Sequence, residues 1–217
     1  MSDLRELLRG IEVFSGELPE FDLTELPADP HELFIDWLLG AVREGIREPH
    51  AMTLSTVDPE GDPDARVLIL KNISAEGWEF ASDGRSRKGR DLAGRPAAAL
   101  TFYWPEQARQ VRVRGAVAPA TAQDSAADFL ARTATARAEA LLGRQSTPLG
   151  GFAEREAAVR ATAARIEDDP GLVSPDWTLY VLRPHRVEFW QGREDRSHTR
   201  VAYTRGAGAW ERGLLWP

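Results

Sequence analysis

Apolar positions recur along the chain with two different periods, which together predict a mainly β protein with added helices. Apolar residues at helical spacing from Leu33 to Val42, behind an Asp29-Pro30 start, predict the first firm helix. Strand periodicity is found at 51–57, 65–71, 78–83, 97–104, 108–118, 177–182 and 186–191, with a last hairpin around 201–204 and 209–215. Further helices are predicted at 87–94 and within 121–166, interrupted near 143–151.

Strands that follow one another in meander order indicate a small antiparallel barrel (α+β, mainly β) and not a sheet of βαβ units. The chain contains no GxGxxG motif and no P-loop. Residues 1–28 are acidic and interrupted by proline, and they predict a mobile N-terminal arm. Residues 29–217 are predicted to form a single domain.

Composition and charge narrow the function classes. A chain with 42% hydrophobic and 28% charged residues is typical of a globular protein, and no apolar run approaches the ~18 residues of a membrane span. Without a leader sequence either, we expect a cytoplasmic protein that binds no membrane. The net charge of −7 argues against nucleic-acid binding, so any cationic site must be local. Zero cysteines and four scattered histidines predict no metal site.

One candidate anion site lies between Arg66 and Arg90. An apolar strand begins at Arg66 and ends at Lys71, and Arg87-Lys88 opens the next predicted helix. The first turn of a helix already favours an anion, and two cations there strengthen that preference. The pattern predicts a site for a phosphorylated ligand. The alternative is a set of solvated charges around a half-buried hairpin.

A second candidate cluster lies near the C-terminus, where Arg196, His198 and Arg200 alternate. On an extended segment the three side chains would share one face, which predicts a site for an anionic or electron-rich ligand. The alternative is an exposed turn in which Glu194 and Asp195 neutralise the cations.

Five motifs occur in a fixed order from about Ala51 to the C-terminus: RVLILK, SRKGR, FYWPEQARQVRVRG, GRQS and EFWQG…RSHTR. In order and spacing the chain resembles the pyridoxamine 5′-phosphate oxidase family of flavin enzymes. The resemblance implies a homodimer of antiparallel split β-barrels with FMN between the subunits. It also implies hydride transfer from a small substrate to FMN, with O2 as the final acceptor.

The resemblance further implies which residues form the site. Gln145, Ser146, Trp190 and Arg200 would come from the partner subunit, and Arg196 and His198 would be catalytic. Substrate would contact Lys71, Arg132, Arg196 and His198. The implied FMN-binding residues are Arg66, Val67, Leu68, Ile69, Leu70, Lys71, Ala81, Ser82, Arg87, Lys88, Gln110, Gln145, Ser146, Trp190 and Arg200.

Departures from the family pattern bear on the substrate. Vitamin B6 oxidases of the family typically hold the substrate phosphate with a Tyr, an Arg and a Ser, where this chain has Asp128, Arg132 and Ala136. A carboxylate there disfavours a phosphate, so we expect a phenazine-biosynthesis-like FMN oxidase. Lys71 is typical of B6 oxidases and supports the alternative, an enzyme that makes pyridoxal 5′-phosphate. A non-catalytic flavin-binding protein is the second alternative.

Overall fold

The structure, a computed structural model, describes residues 3–217 and consists of eight strands, six α-helices and one 3-10 turn in that part of the chain. The helices are α1 Leu4–Arg9, α2 Pro30–Arg43, α3 Arg87–Gly94, α4 Ala122–Leu130, α5 Ala134–Leu141 and α6 Phe152–Asp168. The strands are β1 Ala51–Val57, β2 Pro63–Ser74, β3 Gly77–Asp83, β4 Ala97–Trp104, β5 Arg109–Pro119, β6 Trp177–Gln191, β7 Thr199–Arg205 and β8 Trp210–Leu214.

The strands form one sheet in the order β3-β2-β1-β4-β5-β6-β7-β8, and β3 also pairs with β6. That extra pairing is antiparallel, with Trp78 opposite Leu182 and Asp83 opposite Trp177, and it closes the first six strands into a barrel. The antiparallel barrel predicted from the meander order is confirmed. Closure leaves neither β3 nor β6 as a free edge within the barrel.

Contacts divide the chain into two compact units, which we describe separately. Unit 1 contains the residues up to Met52 together with 100–113 and 185–217. Unit 2 contains residues 53–99 and 114–184. No helix among the described residues is long and apolar enough to cross a membrane. Within residues 3–217, no group of three or more His, Asp or Glu could hold a metal ion.

In unit 1, helix α2 supplies one wall of an aromatic core. Asp29 accepts a hydrogen bond from the backbone N–H of His31 at 2.9 Å, so the predicted capping residue is confirmed. Phe34 is fully buried and meets Phe102 edge-on, with ring centroids 4.7 Å apart. Trp37 packs against Phe189 in the same way at 5.2 Å. The apolar stripe of this helix is therefore its core face.

In unit 2, the core lies between strands and the alanine-rich helices. Phe80 stacks on Tyr180 with centroids 5.4 Å apart, and Leu182 is fully buried. The buried Arg137 of α5 donates to the carbonyls of Pro170 and Leu172 at 2.7 and 2.9 Å. A guanidinium that is buried needs such partners, and these two bonds fix α5 to the segment that follows α6.

The residues of the predicted arm make several contacts within unit 1. Phe21 meets Trp37 at 4.8 Å, and the carbonyl of Pro27 accepts a hydrogen bond from the Tyr203 hydroxyl at 3.0 Å. The arm at 1–28 and the single domain at 29–217 stay predictions, and the first two residues lie outside the described part. Any motion of the arm would break these contacts.

One boundary was predicted incorrectly. The strands expected at 177–182 and 186–191 form a single strand, β6, that passes through Pro184. Pro184 lacks a backbone donor, but the φ angle that proline requires lies within the extended region, so the strand can continue through it.

Helix α3 begins where the backbone folds closely on itself. Ser86 is the N-cap, and its hydroxyl accepts from the Gly89 N–H at 3.2 Å. A Cβ at Gly89 would overlap the backbone of Gly84, whereas nothing lies within 4 Å of a Cβ at Gly94 of the same helix. Glycine at position 89 thus allows the turn to approach the helix start.

We predict opposite effects for two Gly-to-Ala changes in α3. Gly89→Ala should destabilise the protein by about 1–3 kcal/mol, because the methyl group has no space. Gly94→Ala is the matched control and should be neutral or stabilising, since alanine favours a helix. Thermal unfolding measures both variants, and each kcal/mol should shift the melting temperature by about 2–4 °C. Equal melting temperatures for the two variants would contradict the close approach.

Candidate active site

Unit 2 contains a cavity of about 650 Å³ bounded by β2, β3, the start of α3, and the region from α5 to α6. Several residues that the sequence had placed in one site line it together, although they are far apart along the chain. They are Val67, Leu68, Ile69, Lys71, Ala81, Ser82, Lys88, Arg132 and Gln145. A single cavity with apolar walls and a few polar groups is the usual form of a small-molecule site.

One wall of the cavity is apolar because of the alternation along β2. Val67 and Ile69 are two residues apart and point to the same side of the strand, where they are 66% and 37% exposed. Leu68 lines the cavity as well, while Leu70 is buried and does not. Exposed aliphatic side chains on a strand inside a cavity offer a flat surface to an apolar ring.

The opposite end of the cavity carries a buried ammonium group. Lys88 is 6% exposed, and its Nζ donates to Ser86 Oγ at 3.2 Å and to Gln145 Oε1 at 2.9 Å. Burial, and then the nearby Arg66, lowers the pKa of Lys88 from 10.5 to about 8, against the attraction of Asp83 and other carboxylates. An anion next to this ammonium would raise the pKa of Lys88 again, because it favours the charged form.

Gln145 lies beside Lys88 of its own chain, where its Oε1 accepts the hydrogen bond from Lys88 Nζ. The resemblance assigned Gln145 to the flavin site of the partner subunit, and that role stays a prediction. Gln145 belongs to the loop after α5, which begins at Gly143 with a φ of +60°. The guanidinium of Arg85 occupies the space that a side chain at position 143 would need. Ser146, next in the loop, is exposed and does not line the cavity.

Arg66 and Arg87 lie beside this basic end but do not line the cavity. Arg66 Nη1 donates to Thr56 Oγ1 at 2.8 Å, and its Nη2 lies 2.7 Å from Asp64 Oδ2. The more exposed Arg87 faces Asp58 at 3.6 Å and Asp64 at 3.7 Å. Both guanidinium groups are therefore paired with carboxylates.

A second polar wall surrounds Asp128, where the family typically has a tyrosine. Its Oδ1 lies 3.2 Å from the Nζ of Lys71, and its Oδ2 accepts from the indole N–H of Trp177 at 2.8 Å. Arg132 stacks over the Trp177 ring at 4.2 Å and donates to the carbonyl of Ala136 at 3.1 Å. Burial lowers the pKa of Arg132, and Asp128 opposes that shift. Lys71 is thus already paired with the carboxylate of Asp128.

The remaining predicted residues belong to unit 1, where His198 is in an aromatic group. Its ring lies 5.3 Å from Phe14 and 4.9 Å from Trp190, and its Nδ1 accepts from the backbone N–H of Arg193 at 3.1 Å. Arg196 has a φ of +63° in a turn that its N–H closes on the carbonyl of Arg193. Of the two alternatives for this segment, the structure therefore has the exposed turn and not an extended strand with Arg196, His198 and Arg200 on one face.

Arg200 lies on β7 in a charge cluster of unit 1. It donates to Glu188 Oε1 from Nη2 at 2.9 Å, and Arg112 holds the other oxygen of this buried carboxylate at 2.6 Å. Arg200 Nη1 also donates to the carbonyl of Trp216 at 2.7 Å. Gln110 is half-buried on β5. The assigned roles of these residues stay predictions.

Other lining residues were missed from the sequence. Trp177 had no motif of its own, and only its place at the start of a strand marked it. The loop after α5 is anchored by Glu154, which accepts from Arg144 and from the backbone N–H of Gly150, each at 3.2 Å. Further missed lining residues are Asp83, Glu139, Thr147, Pro148, Leu149, Arg155 and Ala158.

Comparison with known proteins agrees with this fold. Residues 38–191 match the profile described as pyridoxamine 5′-phosphate oxidase, and residues 177–217 match the pyridoxine 5′-phosphate oxidase C-terminal dimerisation region. A pyridoxine/pyridoxamine 5′-phosphate oxidase of Pseudomonas paraeruginosa is 42% identical over 193 residues, covering 88% of this chain and 90% of the relative. One from Thermosynechococcus vestitus is 42% identical, covering 87% and 89%.

Two solved structures are also similar. PhzG from Burkholderia lata 383, in complex with tetrahydrophenazine-1-carboxylic acid, has a TM-score of 0.84 and 30% identity, covering 93% of this chain and 100% of that one. An FMN binding protein from Nostoc punctiforme has a TM-score of 0.71 at 22% identity, covering 88% and 100%, and shares the fold. The fold and the cavity define a split-barrel oxidoreductase. The chain belongs to the pyridoxamine 5′-phosphate oxidase family.

Proposed function

We propose that the protein is an FMN-dependent oxidase and that unit 2 binds the cofactor in its cavity. The observation that carries the proposal is one cavity with an apolar wall at Val67 and Ile69 and a buried ammonium, Lys88, at a helix start. FMN needs both features, because the faces of its flat ring system pack on apolar side chains while its phosphate is a dianion.

Different residues of the cavity would bind the cofactor and orient the substrate. Lys88 and the first turn of α3 hold the phosphate, and Val67 and Ile69 keep water from one side of the ring. Bound FMN supplies the hydride acceptor, and O2 then takes the electrons. Lys71 and Arg132, on the second polar wall, orient the substrate, which is mainly what such a site must do. His198 and Arg196 remain our proposed catalytic residues.

For the substrate, we favour a small cyclic compound without a phosphate ester, as in phenazine biosynthesis. Asp128 holds Lys71 at 3.2 Å, so the lysine is already neutralised, and a phosphate would approach a carboxylate. The similarity to PhzG, whose structure holds a tetrahydrophenazine acid, supports this choice.

A second candidate is a pyridoxine/pyridoxamine 5′-phosphate oxidase. Relatives with that name are 42% identical over most of the chain, and both Lys71 and Arg132 line the cavity. The third hypothesis, a flavin-binding protein without turnover, has less support because those relatives are named oxidases.

We also propose a homodimer, because residues 177–217 match the dimerisation region of the family. Each dimer would have two equivalent flavin sites. Light scattering should give twice the mass of the 24.0 kDa chain. A monomer that binds FMN tightly would contradict this proposal.

The decisive experiment on the cofactor compares FMN with riboflavin, which lacks the phosphate. Lys88→Gln should weaken FMN binding about 10- to 100-fold, because a charge-assisted bond is lost, and Arg87→Ala/Lys88→Ala should weaken it further. Riboflavin binding should change little. Arg90→Ala, an exposed change on the same helix, is the control and should bind FMN normally. Flavin fluorescence quenching measures all four proteins, and unchanged FMN affinity in Lys88→Gln would reject the assignment.

The FMN affinity measured in the same titration should depend on pH. The pKa of Lys88 is about 8 without ligand, and a bound phosphate favours the charged form, so binding takes up a proton above that pH. The affinity for FMN should therefore fall as pH rises through 8 towards 10, by at most about tenfold per unit. Lys88→Gln should not show this fall.

The substrate proposal predicts a poor reaction with pyridoxine 5′-phosphate. Asp128→Tyr/Ala136→Ser should raise activity on this ester, because the change removes a repulsion, frees Lys71 and adds hydroxyl donors. Bound flavin should stay the same in both proteins, as measured by its absorbance. Turnover of the ester by the unmodified protein at ~1 per second or faster would favour the second candidate.

A further inference from the structure

The two guanidinium groups beside the basic end of the cavity already have carboxylate partners. Asp64 Oδ2 lies 2.7 Å from Arg66 Nη2 and 3.7 Å from Arg87 Nε, so a single oxygen lies between both cations. Asp58 Oδ2 lies 3.6 Å from Arg87 Nη2. A carboxylate bridging two guanidiniums occupies the kind of position that a phosphate oxygen takes.

Acidic and basic groups nearly balance in this cluster. The cations are Arg66, Arg85, Arg87 and Lys88, and the carboxylates are Asp58, Asp64, Asp83 and Asp91. An incoming dianion must therefore enter a region that is already neutralised, and it can pair fully only if a carboxylate gives up its place.

Asp64 differs from the other three carboxylates in how the fold holds it. Asp91 is buried and accepts from Thr56 Oγ1 at 2.8 Å. Asp58 accepts from the N–H of Asp62 at 2.8 Å, and Asp83 accepts from the N–H of Arg85 at 2.7 Å. These hydrogen bonds mean that each of the three carboxylates helps to hold the local fold.

The Asp64 side chain is 38% exposed, and within residues 3–217 its one hydrogen bond outside the cation pair comes from the N–H of the next residue, Ala65. It is thus the carboxylate whose removal changes the charge of the cluster with the least effect on the fold.

We propose that Asp64 is a resident competitor of the ligand's phosphate group: it occupies Arg66 and Arg87 in the free chain and lowers the affinity for a phosphorylated flavin. This inference rests on the proposed function, since it takes FMN as the ligand. Because riboflavin brings no phosphate to these cations, Asp64 affects the preference between FMN and riboflavin and not the binding of the ring.

The test titrates the full-length, flavin-free protein with FMN and with riboflavin at low ionic strength. Asp64→Asn should bind FMN about 3- to 10-fold more tightly than the unmodified protein, with riboflavin unchanged. The gain should shrink in high salt, because the repulsion is partly exposed to solvent. Asp62→Asn is the matched control, because it removes the same charge from an exposed residue two positions away. It should leave the affinity for both flavins unchanged.

The possible outcomes separate this inference from the proposed function. If the unmodified protein binds FMN and Asp64→Asn binds it equally or more weakly, Asp64 positions Arg66 for the ligand and the competition is rejected. Asp64→Ser, which also removes the charge, must agree with Asp64→Asn. If the unmodified protein binds neither flavin, the proposed function fails and the inference fails with it.

Discussion

The ammonium group of Lys88 lies almost out of reach of water at the start of α3, and the surrounding structure is arranged to make this possible. Ser86 caps the helix and also accepts from Lys88 Nζ, while Gln145 arrives from the loop after α5. Burying a charge costs free energy unless such partners are present. Here burial lowers the pKa of Lys88 to about 8. Our proposal that an anion binds here rests on this arrangement.

This constraint also explains why β2 can leave aliphatic side chains exposed. Val67 and Ile69 face a cavity that ends at Lys88, so the strand provides the wall and the helix provides the charge. On a second side of the cavity, Asp128 lies between Lys71 and Trp177. In our proposal the first set of residues binds the cofactor and the second set selects the substrate, so the two preferences should be separable by mutation.

The sequence predicted those parts of the structure that are set by neighbours along the chain. The bounds of α3, Arg87–Gly94, and the capping by Asp29 follow from local hydrogen bonding and are confirmed. The contact of Asp128 with Trp177 joins residues 49 positions apart, and no period in the sequence encodes it. At Arg196 the sequence left a turn and an extended strand as alternatives, because alternating charges fit both, and only the positive φ of the backbone decides for the turn.

The close packing of Arg85 against Gly143 has a practical consequence for reshaping the enzyme. Position 143 begins the loop that brings Gln145 to the cavity, and a side chain there would strain the backbone at a φ of +60° and displace the guanidinium of Arg85. A mutant library that reshapes this loop should therefore leave Gly143 unchanged. Varying Pro148 and Leu149, which line the same cavity, would alter its shape while the anchor of the loop stays in place.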